Sequence, residues 1–259
     1  MNVLTIKVDE EIVNAFKHFE GWISIGHIAK ALKLTYPTAE KIFWTLTGKG
    51  VVLWKPGIRR QQLFTYNQGG WKKEKTDVFH ELDGLLGRDY YITGKTALFL
   101  HNLTDHAMYQ RIIEIALPKS KYNEIAEKVV DNLNMYATII PSKIPKRCNK
   151  SNIIADALGI GDVIVLRKAL HNPRWLKFYG DLNLPGVEII LEEIDLPDRR
   201  LFEYALKAID LNLTDEAFST LCREKSVLIY LKKYLEGDRE IPDAILKALK
   251  AAERNVRGY

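Results

Sequence analysis

Apolar residues in the first 66 positions recur at helical spacing three times, then at strand spacing twice. In "DEEIVNAFKHF", Ile12, Val13, Phe16 and Phe19 fall at i, i+1, i+4 and i+7, one stripe of an amphipathic helix. Asp9, Glu10 and Glu11 fall in its predicted first turn, where the helix dipole favours acids, and Gly21 ends it. After the extended piece "WIS", Ser24 is placed to cap a second helix, "IGHIAKALK", with Ile25, Ile28, Ala29 and Leu32 inward. The stretch "LTYPTAEKIFWTLTGKGVV", residues 34–52, predicts a third helix. Thr35 caps it, and Pro37 sits in the first turn, where a missing N–H costs nothing. Ala39, Ile42, Phe43 and Leu46 form the buried stripe; Tyr36, Pro37, Thr38, Glu40, Lys41, Trp44 and Thr45 lie on the other side. Trp44 is expected to pack against Trp54. "GKG" stops the helix, and "VVLWK" and "QQLFTY" read as strands joined by a turn containing Pro56-Gly57.

Beyond residue 66 the rhythm changes. Residues 67–88 mix glycine, charge and one short helix, "DVFHELDGLL", and read as a linker with a boundary near Gly70. The remainder alternates. "TGKTALFLHNL" predicts a short helix, "RIIEIAL" a strand, "KYNEIAEKVVDNL" an amphipathic helix and "MYATIIP" a strand. "SNIIADAL" predicts a helix capped by Ser151, and "DVIVLRKAL" is open between strand and helix. "GVEIILEEI" reads as the clearest strand of this half. Three helices close the chain, over "PDRRLFEYALKAI", residues 214–236 with Thr214 as cap, and "IPDAILKALKAAERN". The organisation expected is residues 1–70, a linker with a connecting helix over 71–88, and a mixed α+β body with a helical tail over 89–259.

Charge changes the picture in the first segment. Residues 1–75 hold 12 Lys+Arg and 6 Asp+Glu, a net charge of +6 in a chain whose total is +5. Between Gly21 and Tyr66 stand seven basic residues and a single acid, Glu40. A basic module on a near-neutral body points to a polyanionic partner for that module.

Helix, short strand, helix, tight turn, helix and hairpin is the order of a winged helix-turn-helix, and about 60 residues resemble that family. The resemblance is carried by Thr35, Thr38, Ala39, Ile42-Phe43, Leu46, Gly50 and Val51-Val52. It implies a third helix lying in the DNA major groove, its exposed N-terminal side chains at base edges. Tyr36, Thr38, Lys41 and Thr45 are then the candidate base readers. Lys30, Lys33 and Lys49 would lie beside phosphates, and Lys55, Arg59 and Arg60 would flank the wing turn. With roughly five to seven phosphate contacts, the log–log salt slope expected is about −5 to −6.

Enzymatic signals are poor, and the expectation is a protein that is not an enzyme and uses no cofactor. "TGKT" at 93–96 resembles the end of a phosphate loop but lacks the upstream glycine and a preceding long strand. His101, Asp105 and His106 have no metalloenzyme spacing and no evident third ligand, so a turn is expected there, not a metal site. Cys148 and Cys222 are far apart with no C-x-x-C partner, which fits a reducing cytoplasm. No apolar run reaches the ~18 residues of a membrane span, and charges interrupt the apolar part of the N-terminus, unlike a signal peptide. The run "PSKIPKRCNK" carries Lys143, Lys146, Arg147 and Lys150: a solvated loop, a second phosphate contact, or a dock for an acidic partner.

The segment from Tyr91 to Pro118 resembles the AbiEi family, antitoxins and transcriptional autoregulators of type IV toxin–antitoxin systems. Tyr91, Ile92, Gly94, Ala97-Leu98, His101, Leu103, Thr104, Asp105 and Pro118 carry it, with Asn102 where that family has glycine. The resemblance implies an α+β chain with an N-terminal winged helix that binds double-stranded DNA, represses its own operon and counters a nucleotidyltransferase-like toxin. Two alternatives stay open: a regulator whose body binds a small ligand, and an enzyme with a winged-helix appendage. Oligomeric state is not legible.

Overall fold

The computed structural model describes residues 3–58, 61–68, 77–104, 111–194, 196–211, 213, 226–237 and 240–258. The chain is α+β and divides into two compact units: residues 1–90 with 111–169, and residues 91–110 with 170–259.

The first unit opens with α1 (Val3–Phe16), β1 (Ile23–Ser24), α2 (Ile25–Ala31) and α3 (Tyr36–Gly48). The hairpin β2 (Val52–Pro56) and β3 (Gln62–Tyr66) follows, then α4 (Val78–Leu86). β1, β3 and β2 form an antiparallel sheet in that order, with Ile23 opposite Phe64 and Trp54 opposite Phe64 on the other side. Phe16, Phe43 and Phe64 meet edge-on, with ring centroids 4.7 Å and 5.6 Å apart. Trp44 is fully buried and packs on Trp54 and Phe64 at 5.8 Å and 5.3 Å, the packing expected of it. Each such aromatic pair contributes on the order of 1 kcal/mol beyond the area it buries. Two expectations are corrected here. The first helix begins two turns early, at Val3, so Asp9, Glu10 and Glu11 are mid-helix and not at its dipole end. Trp44 and Glu40 are not on an open side of α3; both are buried.

The same unit contains β5 (Ile112–Leu117), α6 (Tyr122–Leu133), β6 (Ala137–Pro141), α7 (Lys150–Ile160) and β7 (Asp162–Lys168), with a single 3-10 turn at Lys119–Lys121 before α6. The three strands are parallel, with β7 between β5 and β6. Every residue of β5 and β6 is buried. Such continuous apolar runs mark parallel strands covered on both faces. The ambiguous "DVIVLRKAL" settles as strand β7. The one charged residue inside β5, Glu114, pairs with Arg167 of β7, its Oε2 2.8 Å from Nε, so the buried carboxylate is not left uncompensated. The cap of α7 is Asn149, whose side chain accepts from Asn152 N at 3.2 Å; Ser151 lies inside the helix. The helix packs on α3.

The second unit has β4 (Tyr91–Ile92), α5 (Gly94–Leu100), α8 (Val187–Glu193), α9 (Asp198–Asp210), α10 (Ser226–Leu235) and α11 (Asp243–Arg257). The segment "GVEIILEEI" is helix α8, not the strand its β-branched composition suggests. Val187, Ile190, Leu191 and Ile194 are its buried positions, at i, i+3, i+4 and i+7, while the acids at 188, 192 and 193 fall between them. Helical period decides over β-propensity. Glu193 then accepts from Thr93 Oγ1 at 2.8 Å, from Leu170 N at 3.0 Å and from the Tyr91 hydroxyl. Desolvation first, then the Glu193 charge, push the Tyr91 phenol well above its ordinary range. Of the predicted 214–236 helix, residues 226–235 are helical; its proposed cap Thr214, Phe218 and Leu221 lie outside the described residues.

Candidate nucleic-acid interface

The segment from α2 through the turn into α3 is built by local chemistry. Ser24 caps α2, accepting from His27 N at 3.4 Å while its hydroxyl meets His27 Nδ1 at 2.7 Å. The turn to α3 is tied by Leu32 N to Ile28 O at 2.9 Å and Leu34 N to Ala29 O at 2.8 Å. Lys33 takes a positive φ of 53° to make it, a conformation that strains a non-glycine residue. Thr35 caps α3 as predicted. Its Oγ1 accepts from Thr38 N at 3.3 Å and meets Thr38 Oγ1 at 2.8 Å, and Pro37 sits in the first turn.

The candidate readers separate by exposure. Tyr36 is 47% exposed, and Thr38 and Lys41 are also exposed. Thr45 is half-buried, its hydroxyl donating to Lys41 O at 2.9 Å. Residues 38, 41 and 45 recur at i, i+3 and i+7, so they share one stripe of α3. Lys30, Lys33 and Lys49 are exposed as well. Lys30, Lys33 and Lys41 form no ion pair among the described residues. Lys55 differs from the rest. It pairs with Glu127 of α6 and lies 4.7 Å from the centre of the Trp22 ring, with its side chain only 12% exposed. Arg59 and Arg60 lie outside the described residues. Beside them Ile58 stands 82% exposed at the end of the hairpin turn, which Gly57 N closes by donating to Gln61 O at 2.9 Å.

Glu40, the lone acid of the basic stretch, turns inward. It is 6% exposed, and its Oε2 stands 3.1 Å from Nε of Arg147, on the loop between β6 and α7. Burial raises the Glu40 carboxyl above its ordinary value, and Arg147 opposes that shift. Burial, with the Glu40 charge second, also raises the Tyr36 phenol. The exposed stripe of α3 therefore carries Lys41 while the acid of the same helix is withdrawn and paired. Arg147 was recognised in the sequence only as part of a basic run. The signal that a single acid stood in a stretch of seven cations was present, but its partner lies 107 positions away. Gly48 is a second residue the pattern did not mark. A Cβ there would stand 2.7 Å from Ile153 O, so only glycine permits this approach of α3 to α7.

Of the remaining polar candidates, His101 has a structural partner. His101 is buried, with Nε2 2.9 Å from Pro185 O, and burial lowers its pKa below the ordinary value. Asp105 and His106 lie outside the described residues. Asn102 takes φ 58°, the left-handed region that glycine and asparagine tolerate best. Among the described residues no group of three or more His, Cys, Asp or Glu is placed to hold a metal ion. No described helix is long and apolar enough to cross a membrane.

No family model matches the chain, and no curated protein or solved structure matches it.

Proposed function

We propose that residues 1–66 form a winged helix-turn-helix that binds double-stranded DNA, with α3 as the recognition helix and the β2–β3 hairpin as the wing, and that the chain is a transcriptional regulator. The carrying observation is the sorting of charge on α2 and α3: Lys30, Lys33 and Lys41 are exposed and unpaired, while Glu40 is buried against Arg147. A helix that withdraws its only carboxylate and presents cations with hydrogen-bonding neighbours suits a phosphate-lined groove. Thr38 and Lys41 reach base edges in this reading; Lys30, Lys33 and Lys49 engage phosphates. Lys55 is assigned to holding the hairpin against α6. The resemblance of residues 91–118 to AbiEi antitoxins supports DNA upstream of the chain's own coding sequence as the operator, and a toxin as the partner of the remainder.

Fluorescence anisotropy with that upstream duplex and a scrambled duplex tests the reading. The wild type prefers the upstream duplex, and Lys41→Ala weakens that preference. Equal binding of both duplexes would remove sequence-specific regulation, and no binding at low salt would remove the DNA reading altogether.

A further inference from the structure

The inner side of α3 carries an arrangement that the reading residues do not explain. Glu40 and Gly48 lie two helical turns apart, about 12 Å along the axis at ~1.5 Å per residue. Both meet the polypeptide that follows β6. Glu40 meets Arg147 at 3.1 Å, and Gly48 stands against Ile153 of α7 so closely that a Cβ would come within 2.7 Å of its carbonyl oxygen. Two contacts this far apart fix both the position and the direction of a helix.

The Arg147 side of the contact is itself held. Ser142 N donates to Leu166 O at 2.7 Å, tying the start of the loop to β7. Lys150 Nζ donates to Ser142 O at 2.7 Å, and Cys148 N donates to Pro145 O at 2.8 Å. Cys148 is buried and Asn149 caps α7. Arg147 therefore projects from a loop braced on both sides. Glu40 Oε2 is buried and makes no aligned hydrogen bond among the described residues, so the Arg147 charge is what compensates it. A buried carboxylate whose compensation comes from one cation holds that cation's position strongly.

Resting on the duplex-binding reading, we propose that Arg147 is a positioning residue for DNA reading: through Glu40 it sets where the N-terminal half of α3 presents Thr38 and Lys41. Arg147 does this without touching DNA. Its loss shifts the reading stripe relative to the phosphate-gripping cations of α2, so discrimination between sequences falls while the number of phosphates gripped stays the same.

The test is anisotropy binding of the full chain to the upstream and scrambled duplexes across a salt series. The proteins are wild type, Arg147→Ala, Arg147→Lys and Glu40→Gln, each checked for folding by circular dichroism. Glu40→Gln keeps the size of the side chain and Arg147→Lys keeps the charge, so the set is informative even where Arg147→Ala folds poorly. The expected result is a loss of preference on the order of tenfold in Arg147→Ala and Glu40→Gln, comparable to one mismatched base pair, with Arg147→Lys between them and wild type. The salt slope stays at the wild-type value in all three. Unchanged preference in the folded variants would overturn the proposal. So would a slope shallower by about 0.9 in Arg147→Ala but not in Glu40→Gln, which would make Arg147 a phosphate contact. A wild type with no preference would instead remove sequence-specific reading itself, and the positioning role with it.

Discussion

The lysines of the α2–α3 region and the arginines Arg199, Arg200 and Arg257 of α9 and α11 look alike in the sequence and differ in the structure. Each of these three arginines is answered by a carboxylate. Glu203 is 5% exposed and receives Arg200 Nη1 at 2.7 Å, Arg199 Nε at 3.2 Å and Asn255 Nδ2 at 2.7 Å. Arg257 bridges Asp210 at 2.7 Å and Glu253 at 3.2 Å, and Tyr234 donates to Glu253 at 2.5 Å. Lys30, Lys33 and Lys41 stand outward with no ion pair among the described residues, and Glu40, the acid of α3, points in. A paired cation holds its own fold together; an unpaired one on a pre-formed helix face is available to a ligand. Net charge alone does not distinguish the two, because it records the surplus and not the pairing.

Substitutions at four positions press on this difference. The largest stability effect is expected at Glu203→Ala, which removes the shared acceptor of two half-exposed arginines and an amide and costs about 2 kcal/mol in urea denaturation; a loss near zero would mean the network is decorative. The conservative Glu203→Gln adds a pH signature. Burial raises the Glu203 carboxyl, but the Asn255 hydrogen bond and the two arginines outweigh it, so the carboxyl is held below its ordinary value. A depressed folded pKa contributes stability above the unfolded value, near ~4.3 for glutamate, and that contribution is lost as pH falls through the folded value. The deficit of Glu203→Gln is therefore full at pH 7 and shrinks below about pH 4. Next, Arg257→Ala is expected to cost about 1.5 kcal/mol through its two carboxylates. Lys55→Ala, which breaks a partly exposed pair with Glu127, should cost about 0.5 kcal/mol. Last, Lys41→Ala should change thermal stability hardly at all, within about 0.5 kcal/mol. A large stability loss at Lys41 would place it among the structural cations and undo the contrast.

Much of this was legible in the chain, and the failures have physical causes. The caps Ser24 and Thr35, the first-turn Pro37 and the hairpin at Pro56-Gly57 are local, since each acts within about four residues, and they were readable. The parallel strands β5 and β6 were readable because burial on both faces writes an uninterrupted apolar run, whereas the β-branched start of β7 left it open between strand and helix. "GVEIILEEI" misled because its β-branched residues favour strand while its acids at 188, 192 and 193 mark a helix; composition was read before period. Asn149 was passed over as a cap because Ser151, two positions on, is an equally good capping residue by type. The candidate site was legible on its outer stripe and not on its inner one. Thr38 and Lys41 follow from helical spacing, whereas the burial of Glu40 depends on Arg147 and that of Gly48 on Ile153, contacts that only the tertiary fold creates. Lys55 was grouped with the wing cations, and nothing local announces Glu127 or the Trp22 face as its neighbours.

The central claim is that Lys30 and Lys33, unpaired on α2 and in the turn after it, grip the phosphates of a duplex. Its most direct test is the salt dependence of duplex binding for wild type, for Lys30→Ala/Lys33→Ala, and for Lys247→Ala/Lys250→Ala on α11 as a control of equal charge change. The predicted log–log slope is shallower by about 1.8 in the first variant, at ~0.9 per released contact, and at the wild-type value in the control. Equal slopes for all three proteins would contradict it.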